Sequence, residues 1–281
     1  MCTALSFKTH DTYFGRNLDY DFSYGEKIAI VPRTHPFLFR NGTRLENHFS
    51  IMGVAHMDGD YPLYYDAIND AGLGMAGLNF VGNAFYHKKS KTKTNVASFE
   101  LIPYILLQAK SVKEATSLLE KIEVTDEAYS ELFPPSALHW LISDLEESIV
   151  LEVQKDGIHI YPNPYGVLTN NPPFLEQINS LNLYYGLSSK DPENTLAPTL
   201  SKKKFYSRGL GTIGLPGDLT SSSRFVRAVF ARFHSVSPTD ESRSIHQYFH
   251  IMGMVEQVRG LCEVKEGEYE YTIYTSCYNL S

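Results

Sequence analysis

Met1-Cys2-Thr3-Ala4-Leu5-Ser6-Phe7, followed by Tyr13-Phe14-Gly15-Arg16-Asn17-Leu18-Asp19-Tyr20-Asp21, is the stretch on which this chain turns. Cys2 is small enough for an aminopeptidase to remove Met1. The chain would then begin with a residue carrying both a thiol and a free α-amine. A free thiol ordinarily titrates near pKa ~8.5 and an α-amine near ~7.7–8.0. The amine can therefore take the thiol's proton, leaving a thiolate nucleophile on the same residue. Thr, Leu, Phe and Tyr occur at strand-like density in residues 3–7 and 12–14, which places the terminus in a sheet. A hairpin turning around Thr9-His10-Asp11 brings Arg16 and Asp19 back alongside Cys2. Taken alone, Cys2 reads more readily as an incidental terminal residue, and Arg16 with Asp19 as a plain ion pair.

The 281 residues accommodate one large domain or two small ones, and 43% hydrophobic with 20% charged residues is a globular composition. The 19 Tyr and 16 Phe suit sheets and amphipathic pockets. A net charge of -7 argues against a nucleic-acid surface. No apolar run approaches the roughly 20 residues of a membrane span, so no membrane anchor is expected. No charged-then-apolar leader is visible either. The three cysteines, Cys2, Cys262 and Cys277, are odd in number and far apart. That usage points to a reducing, cytoplasmic setting.

After the hairpin, strands are expected at 27–32, 51–54 and 63–65, the last two separated by Asp58-Gly59-Asp60. Gly72-Leu73-Gly74-Met75-Ala76-Gly77-Leu78-Asn79-Phe80 permits close backbone approach and ends on a polar residue in an apolar setting. Residues 87–95 read as a solvated loop. The pattern turns helical from Ser98 to Ile122, with Phe99, Ile102, Ile105 and Leu106 on one face. A second helix starts at Ser111, where Glu114 completes a capping box. Strands return at 138–142, 148–153 and 158–161, the last two joined by Lys155-Asp156-Gly157. Another strand ends on Thr169-Asn170-Asn171 before Pro172; here Asn170 could be no more than a turn cap. Helices follow at 175–185, 222–234 and 241–252, and a strand at 271–277. No repeat or linker divides the chain, so residues 1–281 read as a single domain. Hairpin-connected strands separated by helices predict antiparallel sheets with helices packed outside them.

Some motifs match by composition only. Gly209-Leu210-Gly211-Thr212-Ile213-Gly214 fits the dinucleotide fingerprint, but Pro216 and Gly217 would break the helix that must follow. Ser90-Lys91-Thr92-Lys93 and Ser201-Lys202-Lys203-Lys204 fit S-x-x-K without the partner motifs of a serine acylase. No paired C-x-x-C or H-E-x-x-H suggests a metal.

Five motifs in order, with Gly214-Leu215-Pro216-Gly217-Asp218 as a sixth, carry a resemblance. They are Met1-Cys2-Thr3, Phe14-Gly15-Arg16-Asn17-Leu18-Asp19, Gly77-Leu78-Asn79-Phe80, Val167-Leu168-Thr169-Asn170 and Ser223-Arg224-Phe225-Val226-Arg227. Together they resemble the choloylglycine hydrolase family of N-terminal-nucleophile hydrolases, which contains bile salt hydrolases and penicillin V acylases. The resemblance implies an α+β fold, an αββα four-layer sandwich of two antiparallel sheets flanked by helices. It implies hydrolysis of amide bonds without a cofactor or metal. Carried over by position, Cys2 is the nucleophile, Asp19 orients its amine and Arg16 helps hold the thiolate. Asn79 and Asn170 stabilise the oxyanion, and Arg224 is a positioning charge behind the site. Leu18, Met57, Tyr129 and Phe133 match the positions that read substrate, although each could equally be a core residue. Residues 183–212 resemble an excursion that builds a homotetramer. Family members continue past the strand matching 271–278, so the sheet is expected to lack its last strands. The implied substrates are glycine- or taurine-conjugated bile salts, with penicillin V as the alternative. A poorly active, C-terminally truncated remnant is the third reading.

Overall fold

Side chains that alternate between two buried faces explain the architecture, since a strand with both faces covered needs a layer on either side. The computed structural model describes residues 1–281 except Lys202, Lys203, Phe205 and Pro238. In chain order the elements are β1 (Cys2–Lys8), β2 (Thr12–Tyr20), β3 (Lys27–Val31), β4 (Phe37–Leu38), β5 (Arg44–Leu45), β6 (Ile51–Asp58), β7 (Tyr61–Asn69), β8 (Gly74–Asn79), β9 (Thr94–Ala97), α1 (Leu101–Leu106), α2 (Val112–Leu119), β10 (Ile122–Thr125), β11 (Leu138–Ser143), β12 (Ser148–Gln154), β13 (Gly157–Pro162), β14 (Val167–Leu168), α3 (Phe174–Ser180), α4 (Ser221–His234), α5 (Glu241–Gly253), β15 (Glu263–Lys265), β16 (Glu268–Tyr269), β17 (Tyr271–Thr275) and β18 (Tyr278–Asn279).

Two antiparallel sheets carry the fold. One has the order β14-β1-β2-β17, with β18 also pairing β2; the other runs β13-β12-β11-β8-β7-β6-β3. The first hairpin pairs Cys2 with Leu18 and Ala4 with Arg16, closing over Thr9–Asp11 as its sequence predicts. On β1, Ser6 points at the second sheet, where its hydroxyl meets that of Ser143 on β11 at 2.7 Å. Thr3, of opposite parity, meets Arg224 on α4. On β2, Phe14 lies against Gly74 of β8, while Asn17 donates to the Met252 carbonyl of α5. A Cβ at Gly74 would stand 2.6 Å from the Phe14 ring, so the absent side chain sets how closely the sheets approach. The same parity sorts β8 and β11. Met75, Trp140 and Ile142 join the core under α1 and α2. Ala76, Leu78 and Leu141 join the core that also takes Phe225 of α4 and Ile251 of α5. Helices thus cover the outer face of each sheet, which is the four-layer αββα order. Fully buried Trp140, Phe14, Phe174 and Phe225 anchor the layers, each contributing about 1.5–3 kcal/mol by burial.

Three local readings change. The helical stretch 98–122 is a 3-10 turn at Ser98–Glu100, then α1, then α2. Ile122 is buried, but it opens β10, which pairs in parallel with β9, because Ile122, Val124 and their polar neighbours alternate with period two. The Ser111 hydroxyl accepts from Glu114 N–H at the start of α2, whereas the Glu114 carboxylate accepts from Lys110 N–H at 3.0 Å, one residue before the cap. Residues 88–93 are a loop as expected, while His87 forms an isolated bridge to Thr125 and β9 starts at Thr94. The dinucleotide-like Gly209 has φ +81° and leads into a 3-10 turn at Leu210–Thr212, so no helix follows it. Lys202 and Lys203 of the second S-x-x-K match lie outside the described residues.

Candidate active site

The register of the first hairpin brings Cys2, Arg16 and Asp19 to one cavity. With Cys2 opposite Leu18, the strand ends place Asp19 N–H on the Met1 carbonyl at 3.0 Å and the Met1 amine on the Asp19 carbonyl at 2.9 Å. The Met1 amine also lies against the Glu270 carboxylate. Cys2 is buried, and its backbone N–H donates to Asn170 Oδ1 at 2.7 Å. Asn170 arrives from the loop after β14, the neighbour of β1. Arg224 reaches the same point from α4. Its Nη2 donates to Asn170 Oδ1 at 2.7 Å, and its Nη1 donates to Thr3 Oγ1 at 2.7 Å and to the Cys2 carbonyl. The Asn170 amide group in turn donates to the Asn79 carbonyl at 2.8 Å. Asn170 itself is held by its N–H on Ser221 Oγ and by Gln177 Nε2 on its carbonyl.

Arg16 and Asp19 are both buried, and no ion pair joins them among the described residues. Arg16 points between the sheets, where Nη1 donates to the Tyr65 carbonyl at 3.3 Å and to the Gly77 carbonyl. Its Nη2 has no hydrogen-bond partner. Asp19 Oδ1 accepts from Thr272 Oγ1 at 2.6 Å, and its Oδ2 is likewise unpartnered. A buried polar atom without a partner costs about 1–3 kcal/mol, a cost tolerated where the group serves a reacting molecule. Burial works against the Arg16 charge, but Cys2, Tyr274, Asp66 and Asp19 together outweigh it and hold the guanidinium above its ordinary pKa. Burial raises the Asp19 carboxyl despite the opposing pull of Arg224, the Thr272 hydroxyl and the chain's amine. Burial lowers the Met1 amine, and it lowers Arg224 against the pull of Asp19 and Cys2.

Cys2, Arg16, Asp19 and Asn79 open onto a cavity of about 380 Å³. Tyr24, Phe99, Tyr129 and Phe133 give it an aromatic wall, to which the exposed Leu132 also contributes. The Phe133 ring lies 6.2 Å from Tyr129 and 5.1 Å from His56. Arg40 fastens this wall, donating to the Tyr129 carbonyl at 2.7 Å with its guanidinium over the Tyr129 ring. Leu18, Tyr129 and Phe133 therefore line the cavity as expected. Met57 does not. It shares parity with Ile51 and Ala55 on β6 and packs into the core beneath α1, while His56, one residue earlier, faces the cavity. That parity was readable in the sequence. Phe99, assigned by periodicity to the buried helix face, lines the cavity from the 3-10 turn. Thr272, Glu270 and Arg40 carried no local signal, since their partners are far away in sequence. Among the described residues, no cluster of three His, Cys, Asp or Glu could hold a metal.

This geometry stands with what the chain is similar to. The sequence profile of linear amide C–N hydrolases, choloylglycine hydrolase family, matches residues 2–281. This chain belongs to the choloylglycine hydrolase family. A bile salt hydrolase/transferase of Lactiplantibacillus plantarum is 49% identical over 280 residues, covering 100% of this chain and 86% of the relative. The bile salt hydrolase/transferase of Clostridium perfringens is 35% identical, with 99% of this chain and 85% of the relative covered. The crystal structure of the C2A mutant of the conjugated bile acid hydrolase from Clostridium perfringens superposes with a TM-score of 0.90 at 35% identity, over 100% of this chain and 86% of that one. A penicillin V acylase from Agrobacterium tumefaciens shares the fold, with a TM-score of 0.75 at 21% identity over 99% of this chain and 80% of that one. Family membership makes the chain a hydrolase of linear amides, and the αββα sandwich is the family's fold.

Proposed function

We propose that this chain hydrolyses the amide bond of glycine- or taurine-conjugated bile acids, with Cys2 as nucleophile once Met1 is removed. The observation that carries this reading is that Cys2 shares one cavity with a set of aromatic side chains, Tyr24, Phe99, Tyr129 and Phe133 among them. A rigid apolar acyl group fills the wall, stabilised at roughly 25 cal/mol per Å² of apolar surface buried. Its carboxamide then rests at Cys2 with the amino acid directed outward, so remote binding energy positions the reacting carbonyl.

The steps follow from the groups present. The freed Cys2 amine takes the thiol proton, and the sulfur attacks the amide carbon. The oxyanion is met by N–H donors of Asn170 and Asn79. Asn170 Oδ1, held by Arg224, orients the amine. The resulting ammonium passes its proton to the leaving nitrogen as the C–N bond breaks, leaving a thioester. Water, deprotonated by the same amine, attacks the thioester carbon; the C–S bond breaks, the ammonium returns its proton to the Cys2 sulfur, and the free bile acid leaves. An amine arriving in place of water would give acyl transfer by the same route. Arg16 Nη2 and Asp19 Oδ2, both without a partner, are left to serve the thiolate and the amine.

N-terminal mass spectrometry of the active protein, with kcat/KM on glycocholate, taurocholate and penicillin V, tests the reading. Loss of Met1, no turnover with an uncleaved N-terminal tag, and preference for the bile salts are expected. Full activity with Met1 retained overturns the mechanism; penicillin V as best substrate overturns the specificity but leaves the nucleophile. A homotetramer in the cytoplasm completes the proposal. Exposed Leu183, Tyr185, Leu196 and Tyr206 in the 183–212 excursion favour association, and light scattering at working concentration reads the mass. No helix of the described residues is long and apolar enough to cross a membrane.

A further inference from the structure

Asp66 on β7 is fully buried between the sheets, and nothing in the reaction just described uses it. Three hydroxyls converge on its carboxylate. Tyr278 donates to Oδ2 at 2.8 Å, Ser276 Oγ donates to Oδ2 at 2.7 Å, and Tyr274 donates to Oδ1. All three lie in residues 274–278, more than two hundred positions along the chain. Burial raises the Asp66 carboxyl, and Arg16 with these three hydroxyls pulls the other way, so the group is held by its hydrogen bonds in one place.

The Ser276 hydroxyl has a second role. It accepts the backbone N–H of Arg16 at 3.0 Å, while Ser276 N–H donates to the Arg16 carbonyl at 2.8 Å. Ser276 thus grips the Arg16 backbone from both sides, and its own proton is committed to Asp66. The approach is possible because residue 15 is glycine, where a Cβ would stand 2.1 Å from the Ser276 carbonyl oxygen. Among the groups that favour the Arg16 guanidinium against burial, Asp66 comes after Cys2 and Tyr274. The charged and titratable groups around Asp66 are Arg16 on β2, Tyr274 and Tyr278 from the C-terminal segment and Tyr248 on α5.

We propose that Asp66 is a positioning residue: through Ser276 it fixes Arg16 so that the free Nη2 bears on the Cys2 thiolate. The C-terminal segment thereby becomes part of the catalytic apparatus without touching substrate. The inference rests on the assignment of Cys2 as nucleophile, but not on which amide is cleaved.

The test is made on the full chain with Asp66→Asn, Ser276→Ala and Ser276→Thr. The pH dependence of Cys2 alkylation by iodoacetamide, followed on the N-terminal peptide by mass spectrometry, reports the thiolate directly. In Asp66→Asn and Ser276→Ala the inflection should move up by about one pH unit, a tenfold loss of thiolate. Hydrolysis should lose roughly 10- to 100-fold in kcat, with KM within about twofold. Ser276→Thr restores the hydroxyl and should recover most of both. If Asp66→Asn does not fold, Ser276→Ala carries the test, because it leaves Asp66 with both tyrosine donors. An inflection that is unchanged or moves down, or a loss that falls on KM, overturns the proposal. Should the unaltered chain fail to cleave bile salts, the alkylation result still decides it.

Discussion

Arg224 and Cys2 meet on one atom: the Arg224 guanidinium and the Cys2 N–H each donate to Asn170 Oδ1 at 2.7 Å. An oxygen taking two donors leaves the Asn170 amide only one orientation, with its NH₂ toward the Asn79 carbonyl at 2.8 Å. One further N–H of that group is then left for the oxyanion of the proposed mechanism. The arginine's fork is what makes this arrangement rigid. It spans Asn170, Thr3 and the Cys2 carbonyl from a single planar group.

Arg224→Lys should therefore be a severe substitution. An ammonium cannot span three acceptors in a plane. We expect kcat to fall by about 10²-fold, comparable to losing one preorganised oxyanion donor, with KM little changed. Leaving buried acceptors unpaired should also cost about 1–3 kcal/mol, read as a lower urea midpoint. Wild-type kcat in Arg224→Lys would show that Asn170 is held well enough by Ser221 and Gln177 alone.

Removing the thiol should separate chemistry from folding. The Cys2 side chain is small and its sulfur is not a hydrogen-bond partner of any described group, so Cys2→Ala leaves the fold's hydrogen bonds intact. The expected outcome is a melting temperature within a few degrees of the parent and no measurable turnover. Residual hydrolysis that scales with enzyme concentration would point to a second nucleophile.

The aromatic wall gives a prediction of the opposite kind. Phe133→Ala removes apolar surface worth about 1–2 kcal/mol of acyl-group burial, so KM for a conjugated bile salt should rise about 5- to 30-fold. Arg40→Ala should raise KM in the same direction by freeing the Tyr129 carbonyl it holds, with kcat retained. A fall in kcat at constant KM would place these residues in the chemistry.

Much of the site was legible because it is built on the first hairpin. Period-two alternation and a turn at residues 9–11 bring Arg16 and Asp19 to Cys2, and the hairpin's register is local. Asn79 and Asn170 stood out as polar residues closing apolar strands. Met57 lies off the cavity and its neighbour His56 lines it, because adjacent side chains of a strand face opposite ways. Asp66 and Glu270 were invisible for a different reason. A lone carboxylate in Tyr64-Tyr65-Asp66-Ala67 reads as solvent-facing, and only the fold brings it Tyr274, Ser276 and Tyr278.

The start of α4 supplies a prediction in pH. Asp218 accepts from Ser223 Oγ at 2.6 Å, and its other oxygen accepts from Thr220 Oγ1 at 2.6 Å and Thr220 N–H at 3.0 Å. These bonds, Ser223 first, pull its carboxyl down to about 2 from the ordinary 3.8. A carboxyl lowered on folding binds fewer protons in the folded state than in the unfolded one between those two values. Its contribution is therefore complete above about pH 4 and is lost as pH falls through the folded pKa. Asp218→Asn keeps the shape but not the charge. The melting-temperature difference between parent and variant should be constant from pH 7 to pH 5 and shrink steadily below pH 4. The Asp218 carbonyl and the Pro216 carbonyl also accept from Arg227, one turn from Arg224. Loosening this cap should then lower kcat modestly at neutral pH, where the helix no longer presents Arg224 as firmly. A difference that grows toward low pH would mean that the carboxylate is not what holds this end of the helix.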